Sequence, residues 1–422
     1  MAQAPRINAS DHPHPKPLGA LREPLFRALW IAAIVSYSGT WMQNVGAAWL
    51  MTSLTMSPLL VGLVQAASAL PVFLVVLPAG ALADIVDRRK LLLLTQFWMV
   101  AAAGLLGVLT ILNHIAPWSL LLLTFVLGLG SVMNDPAWQA ITPEVVSHPN
   151  LHGAIALNSA GFNVARAFGP ALGGLVIAAM GSGFAFLLNA ASFFGVIVFL
   201  YQWKRIPHEH PHPKERMLEA IRTGLRYVRT SQPMRAVLVR TGAFSIAAIA
   251  ILALLPVVAR PFGSVGFGVL LGCFGAGALL GAAVLPVVRR MLSIDALVAW
   301  STVVFAATTF AVGRANTYTA LVLVMLIAGG AWINILASLN VSAQTTAPAW
   351  LRARAISMYL LILQGGMAAG STLWGAVAQH YGIPNSLLLA SIVLIVGLLA
   401  VPKYRLHARD VPLETVTPGN QL

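Results

Sequence analysis

The sequence predicts an all-α membrane protein whose twelve transmembrane helices form two bundles of six. Three observations support this prediction. The chain of 422 residues is 58% hydrophobic and only 9% charged, whereas an average soluble domain is about 25% charged. It contains twelve mostly apolar runs, each near the length of about 20 residues that a helix needs to cross a bilayer. One long polar stretch separates the first six runs from the last six.

The apolar runs define the expected helices, because a backbone in lipid must satisfy its own hydrogen bonds. No run alternates apolar and polar residues with the period of two that a transmembrane barrel requires. We expect spans at residues 28–53, 58–83, 89–113, 117–141, 152–179, 182–203, 234–260, 264–290, 293–314, 317–343, 350–377 and 383–402.

The spans and the polar stretches divide the chain into two tails, two bundles and a central loop. The expected parts are a tail at 1–26, a first bundle at 27–203, a loop at 204–233, a second bundle at 234–402 and a tail at 403–422. Apolar residues recur at helical spacing among the arginines of the loop, which predicts an amphipathic helix lying on an anionic membrane surface. These residues are Met217, Ile221, Leu225 and Val228.

The two bundles also resemble each other in sequence. An offset of 201 residues superposes Gly169 on Gly370 and Gly174 on Gly375, at matching places in the fifth and eleventh spans. Two related sets of six spans around a polar loop are an architecture of membrane transporters.

Basic residues predict the orientation. With both termini in the cytoplasm, only Arg260 and Arg314 of the 26 basic residues lie at the outer face, and only Arg166 and Arg240 lie within spans. All others are then cytoplasmic, as the positive-inside rule requires. The formal charge of +14 therefore reflects topology, and no nucleic-acid partner is needed to explain it.

A knot of charges, GALADIVDRRK, stands between the second and third spans. It resembles the signature loop of the major facilitator superfamily, in which a glycine is followed by an aspartate and then by basic residues. The matching positions are Gly80, Asp84, Arg88, Arg89 and Lys90. The alternative is an ordinary positively charged cytoplasmic loop.

The resemblance implies that the knot is a conformational latch. Asp84 is expected to interact with the cytoplasmic end of the eleventh span, where Arg352 and Arg354 are candidate partners. Asp87 replaces the second glycine of the motif, and Asp tolerates left-handed backbone geometry better than most residues.

A second resemblance lies in the fifth span, in the segment ARAFGPALGG. It is similar to the antiporter motif of the same superfamily, which is associated with exporters, although alanines replace the two leading glycines. The matching residues are Gly169, Pro170, Gly173 and Gly174. Small residues let helices approach closely, and the glycine-rich eighth span is the expected partner. Generic helix packing is the alternative.

The N-terminal half, including NDPAWQAITPEVV, resembles the branch that contains the bacterial enterobactin exporter and related efflux proteins. The fourth span lacks the arginine that many drug–proton antiporters carry there, so coupling through that arginine is not implied.

Ionisable residues at membrane depth are costly and therefore candidates for function. Asp135 and Arg166 lie at similar distances from the loop that joins spans four and five, so we expect them to pair and to carry proton coupling; a static ion pair is the alternative. Arg240 is expected to snorkel to the cytoplasmic face, and Glu144 to lie beyond the membrane edge. Candidates for the substrate path are Gln43, Asn44, Asn134, Asn158, Asn163, Asn334 and Gln364.

Metal, cofactor and enzyme chemistry find no support in the sequence. His208, His210 and His212 alternate with other residues in the central loop, where nothing organises them as ligands. Nucleotide-binding loops, zinc signatures and nucleophile elbows do not occur.

The sequence therefore predicts a monomeric secondary transporter of the bacterial cytoplasmic membrane, with both termini in the cytoplasm. We expect it to export small amphipathic organic compounds, siderophore-like or drug-like, by proton-driven alternating access. One alternative is an uptake symporter or facilitator for a polar nutrient. Another is a receptor or assembly factor that transports nothing.

Overall fold

The computed structural model describes residues 19–203, 227–228, 230–348 and 351–406, with the backbone alone at residues 77, 80, 81 and 83–85. The central-loop histidines and most of the expected amphipathic helix lie outside the described residues.

Twelve long helices make up most of the described chain, and no strand occurs in that part. The N-half consists of α1 (Pro24–Leu54), α2 (Pro58–Ile85), α3 (Arg88–Ile111), α4 (Pro117–Val145), α5 (Leu151–Met180) and α6 (Ser182–Gln202). The C-half consists of α7 (Gln232–Val258), α8 (Gly263–Met291), α9 (Ile294–Arg314), α10 (Tyr318–Thr346), α11 (Arg352–Tyr381) and α12 (Ile383–Gly397). These bounds agree with the predicted spans to within a few residues, so the predicted fold class is confirmed.

Eleven of these helices are long and apolar enough to cross a membrane. The remaining one is α1, which has 31 residues and therefore sufficient length. Its centre is less apolar because six polar side chains interrupt it: Ser36, Tyr37, Ser38, Thr40, Gln43 and Asn44.

The internal repeat is visible in the helix bounds. The offset of 201 residues carries α5 onto α11, and α4 onto α10, end to end. It also carries Gly181 onto Gly382, and these glycines end α5 and α11 with φ angles of 87° and 82°. Only glycine adopts this backbone region without a steric penalty, so each half stops its fifth helix in the same way.

The halves meet along two helix pairs, α2 with α11 and α5 with α8. We call the side of the membrane where α1 begins and α12 ends the terminal face, and the opposite side the far face. Near the far face, a Cβ atom at Gly174 would lie 2.5 Å from the Ser264 carbonyl oxygen, and one at Gly62 would lie 2.6 Å from that of Ser371. The backbones of the two halves therefore touch there.

Towards the terminal face, α5 and α8 separate. Pro170 and Gly174 are buried against α8, but Ala156 and Ala160, which continue the same side of α5, are exposed. Pro286 on α8 is exposed as well. A space between the halves thus opens towards the terminal face along this helix pair.

Candidate functional site

Asp135 is accessible to solvent although it belongs to a membrane-spanning helix. It lies well within α4 and its side chain is exposed, with Tyr37 of α1 close by. We interpret the accessible space beside α1 and α4 as a cavity. Across that cavity, Asp135 and the indole of Trp138 both lie close to the hydroxyl of Tyr37 on α1.

A polar and aromatic stripe on α1 faces the same space. Tyr37, Trp41 and Asn44 are separated by four and three residues, which puts them on one face of a helix. Asn44 is exposed. Because α1 also packs along α5, this stripe connects α4 with α5.

α5 completes the cluster with one aromatic and one basic side chain. Phe162 meets Tyr37 edge to face, with ring centroids 5.3 Å apart and an interplanar angle of 84°. The guanidinium carbon of Arg166 lies 6.0 Å from the centroid of the Trp41 ring, a distance at which a cation is attracted to an aromatic face. We call the set the Asp135 cluster: Tyr37, Trp41, Asp135, Trp138, Phe162 and Arg166.

The expected ion pair between Asp135 and Arg166 is not formed. The salt bridges that the described part of the chain shows join other residues. The expectation assumed that α4 and α5, which are consecutive and antiparallel, are neighbours. In the structure they scarcely touch, because α1 packs between them. Asp135 therefore faces Tyr37, and Arg166 stacks on Trp41.

Two amides expected on the substrate path lie in helix contacts instead. Gln43 is buried and accepts a hydrogen bond from Asn189 of α6. The buried Asn134 side chain accepts hydrogen bonds of 3.1 Å from Thr95 and Gln96 of α3. A buried amide that lacks a partner is costly, and each of these finds its partner in a neighbouring helix.

The other path candidates differ in accessibility. Asn163 is half-buried and donates to the Ser159 carbonyl of its own helix, while Asn158 donates to Thr142 of α4. Gln364 is half-buried. Asn334 on α10 has a buried Oδ1 atom without a hydrogen-bond partner in the described residues. This oxygen is therefore free to accept a hydrogen bond.

Arg240 does not snorkel to the surface. It is 7% exposed and forms an ion pair with Asp295 in the first turn of α9. Asp295 also accepts hydrogen bonds from the Leu406 backbone N–H. Burial requires a partner for the guanidinium, and the fold supplies one at the start of the neighbouring helix.

Three charged residues of the knot at 80–90 form contacts within the N-half. Asp87 has a φ of −57° and accepts from the Lys90 backbone N–H, so it caps α3 and is not left-handed. Arg88 forms a 3.0 Å salt bridge with Glu144 in the last turn of α4. Arg89 donates to backbone carbonyls at the end of α6, where a positive charge suits the helix dipole.

The proposed partners of the knot lie at the start of α11. Arg352 is exposed and Arg354 is half-buried. The side chain of Asp84 lies outside the described residues, so its contact with this helix stays a prediction.

The motif residues of α5 divide between two helices. A Cβ atom at Gly169 would lie 2.7 Å from Trp41 Cβ, and one at Gly173 would lie 2.9 Å from Met42 Cα, so both glycines face α1. Gly174 and the Pro170 carbonyl instead face α8. The α5 motif therefore packs against its own half and against the other half at once.

The residues that the sequence candidates did not include are, among others, Tyr37, Phe162 and Asp295. Tyr37 lies one turn before Trp41, so helical spacing alone could have added it to the stripe. A negatively charged aspartate in the first turn of a helix interacts favourably with the positive end of the helix dipole. The position of Asp295 at the start of a predicted span could therefore have singled it out. Nothing local distinguishes Phe162 from a lipid-facing side chain.

Comparison with known families decides the identity of the chain. The family model described as "Transmembrane secretion effector" matches residues 16–418. The chain belongs to this family of the major facilitator superfamily. Membership places it among multi-pass membrane transporters and not among enzymes.

Named relatives of this family member are similar at modest identity. The multidrug efflux pump Tap of Mycolicibacterium fortuitum is 25% identical over 92% of this chain and 98% of its own length. The enterobactin exporter of Shigella boydii serotype 4 is 28% identical over 49% of this chain. The staphyloferrin A transporter of Staphylococcus aureus is 27% identical over 39% of this chain. The matches span only 50% and 41% of the lengths of those last two relatives.

Solved structures share the fold. The POT family transporter PepTSo superposes with a TM-score of 0.75 at 13% identity, covering 90% of this chain and 97% of that one. A bacterial homologue of the lysosomal transporter Spinster, in an inward-facing and occupied conformation, gives a TM-score of 0.72 at 13% identity, with coverages of 91% and 96%. At such identities these likenesses show the fold alone.

Proposed function

We propose that this family member exports small amphipathic organic molecules, siderophore-like or drug-like, in exchange for protons. The single observation that carries the proposal is the exposed carboxylate of Asp135 inside the N-half, beside Tyr37. The similarity to a multidrug efflux pump over 92% of the chain supports the direction and the class of substrate.

The residues of the Asp135 cluster would have two roles, substrate binding and proton binding. The aromatic side chains provide faces on which an apolar ring can stack. Asp135 can gain and lose a proton, whereas Arg166 keeps its positive charge under all ordinary conditions. Proton binding at Asp135 would therefore change the charge of the cavity and release a substrate that the carboxylate holds.

The orientation and the location are part of the proposal. We infer that the terminal face is cytoplasmic, because the basic residues concentrate at that face. The bacterial exporters among the relatives support the inner membrane as the location, and we propose the monomer as the working unit. A cysteine introduced at Pro211 should react only with reagents in the cytoplasm, and one at Asn316 only with reagents outside. Labelling of both from one side would refute the topology.

The charge knot would set the balance between the two states of the transporter. We propose that Asp84 binds the start of α11, at Arg352, Arg354 or the helix terminus, only while the terminal face is closed. Asp84→Asn should then lower turnover and leave substrate affinity within about a few-fold, since only a conformational equilibrium changes. A loss of binding with normal turnover per bound molecule would contradict this role.

Asp135→Asn tests the main proposal. In proteoliposomes that carry a pH gradient, transport of a fluorescent amphipathic dye by this variant should fall by about tenfold or more, equivalent to about 1.4 kcal/mol in the barrier. Dye exchange without a gradient should persist, because asparagine preserves the shape of the side chain. Gln139→Ala is the matched control, as Gln139 is an exposed polar residue one turn further along α4. Gradient-driven transport at the wild-type rate in Asp135→Asn would remove Asp135 from coupling.

A further inference from the structure

One side chain of the C-half reaches across to the N-half at the far face. Arg260 follows α7, in the short helix Arg260–Phe262. Its Nη2 atom donates to the backbone carbonyls of Thr52 and Thr55, at 3.1 and 2.8 Å. Its Nη1 atom lies 3.4 Å from the sulfur of Met56. The guanidinium therefore sits on the C-terminal end of α1.

The chemistry of a helix end explains why this contact is favourable. The last carbonyls of α1 have no partner within the helix, and they carry the negative end of its dipole. A guanidinium supplies both donors and a positive charge, and hydrogen bonds with a charged partner are stronger than neutral ones. Arg260 thus caps a helix of the opposite half.

A second contact holds the same turn. Ser57 lies between α1 and α2, and its hydroxyl donates to Oε1 of Gln379 on α11 over 2.7 Å. Two residues of the C-half, Arg260 and Gln379, therefore bind the turn between α1 and α2. The closely packed Gly62 of α2 and Gly174 of α5 lie near the same face of the membrane.

We propose that Arg260 is the latch of the far face. Resting on alternating access as the proposed mode of transport, the inference is that the end of α1 must leave Arg260 each time the far face opens. The hydrogen bonds of Arg260 to α1 then stabilise the state that is closed at the far face. They are lost in the state in which the halves have separated there. Losing it should shift the ratio of open to closed molecules by roughly tenfold, the scale of charged hydrogen bonds.

Distances between spin labels at the far face measure this ratio directly. His114 in the α3–α4 turn and Asn316 in the α9–α10 turn are both exposed, one in each half. Labelled cysteines at these positions, with the single native Cys273 changed to Ser, report the separation of the halves in nanodiscs. Arg260→Ala should increase the population of long distances, and Arg260→Lys, which keeps the charge and loses the fork of donors, should increase it less.

Arg314→Ala is the matched control. Arg314 is a second arginine at the far face; it is exposed, and its guanidinium lies 5.7 Å from the Phe310 ring of its own helix. Its removal should leave the distances unchanged. Equal shifts in the Arg314 and Arg260 variants, or no shift in Arg260→Ala, would overturn the latch.

The milder Gln379→Ala guards against a folding defect. It removes the bond from the Ser57 hydroxyl and leaves that hydroxyl in place as the cap of α2, where it accepts from the Leu60 backbone N–H. It should therefore produce a smaller shift in the same direction at an unchanged unfolding temperature, and a shift opposite in sign would count against the latch. The readout needs neither substrate nor protons. A shift in Arg260→Ala without any dye export by the wild type would leave the latch standing and refute the proposed function, whereas dye export by the wild type with no shift would refute the latch alone.

Discussion

The two halves share a helix plan but differ in the charged residues at the equivalent positions of α4 and α10 and of α5 and α11. The offset that superposes α4 on α10 and α5 on α11 carries Asp135 onto Leu336 and Arg166 onto Met367. The charges of the Asp135 cluster thus have apolar counterparts in the C-half. The ion pair of the C-half, Arg240 with Asp295, is largely buried and joins α7 to α9.

The two halves also differ in how their aromatic side chains pack. In the C-half, Trp332 lies among Phe244, Phe274 and Phe305, with ring centroids between 5.5 and 5.8 Å apart. One continuous hydrophobic core surrounds them, formed mostly by the C-half together with a few residues of the N-half. Most other buried hydrophobic residues of the N-half form several separate clusters. The aromatic side chains of the C-half fill a core, whereas those of the Asp135 cluster border a cavity. We therefore propose that the N-half carries the chemistry of transport and that the C-half contributes mainly packing.

The largest effect that this comparison predicts is a loss of stability in the C-half. Asp295→Ala leaves the Arg240 guanidinium buried without its partner, which typically costs about 3–5 kcal/mol. The unfolding temperature in detergent should fall clearly. The double variant Arg240→Leu/Asp295→Ala should recover much of it, because an apolar replacement of both charges is often neutral. A single variant as stable as the wild type would mean that the pair does not fasten α7 to α9.

The opposite result is expected for the N-half. The double variant Asp135→Leu/Arg166→Met gives the N-half the residues that the C-half has at equivalent positions. Charges at membrane depth cost about 2.5–3.5 kcal/mol each on insertion scales, so the unfolding temperature should stay the same or rise. Gradient-driven dye transport should be lost. A marked drop in stability would show that these charges hold helices together, as Arg240 and Asp295 do.

The sequence predicts the helices of both halves and, from the small residues of α5 and α8, the contact between these two helices, but it does not predict which helices are neighbours within a half. Twelve spans, their approximate ends and the repeat follow from apolar runs and glycines, since these are local signals. The predicted ion pair between Asp135 and Arg166 is not formed. The prediction compared the positions of the two residues along their helices and assumed that α4 and α5 are neighbours, whereas α1 packs between them. Rotation about the helix axis is equally hidden, so Gln43 and Asn44, although adjacent in sequence, have opposite environments.

The smallest predicted effect concerns the carboxylate that serves the N-half at the terminal face. Glu23, just before α1, accepts hydrogen bonds from the Ser147 hydroxyl at 2.6 Å and from Asn150 at 2.8 Å. It joins the start of α1 to the α4–α5 loop, much as Asp295 joins α9 to α7. Unlike Asp295 it has no cationic partner among the described residues.

Its contribution should depend on pH. Partial burial acts to raise the pKa of the Glu23 carboxyl, but the hydrogen bonds from Ser147 and Asn150 lower it below its ordinary value of 4.5. A pKa that is lower in the folded state contributes stability above the unfolded pKa and loses it as the pH falls through the folded pKa. Glu23→Gln should therefore be less stable than the wild type near pH 6, by under about 1 kcal/mol at this partly exposed site. The difference should disappear in acid below the lowered pKa, whereas a difference that persists there would assign the effect to packing and not to the charge.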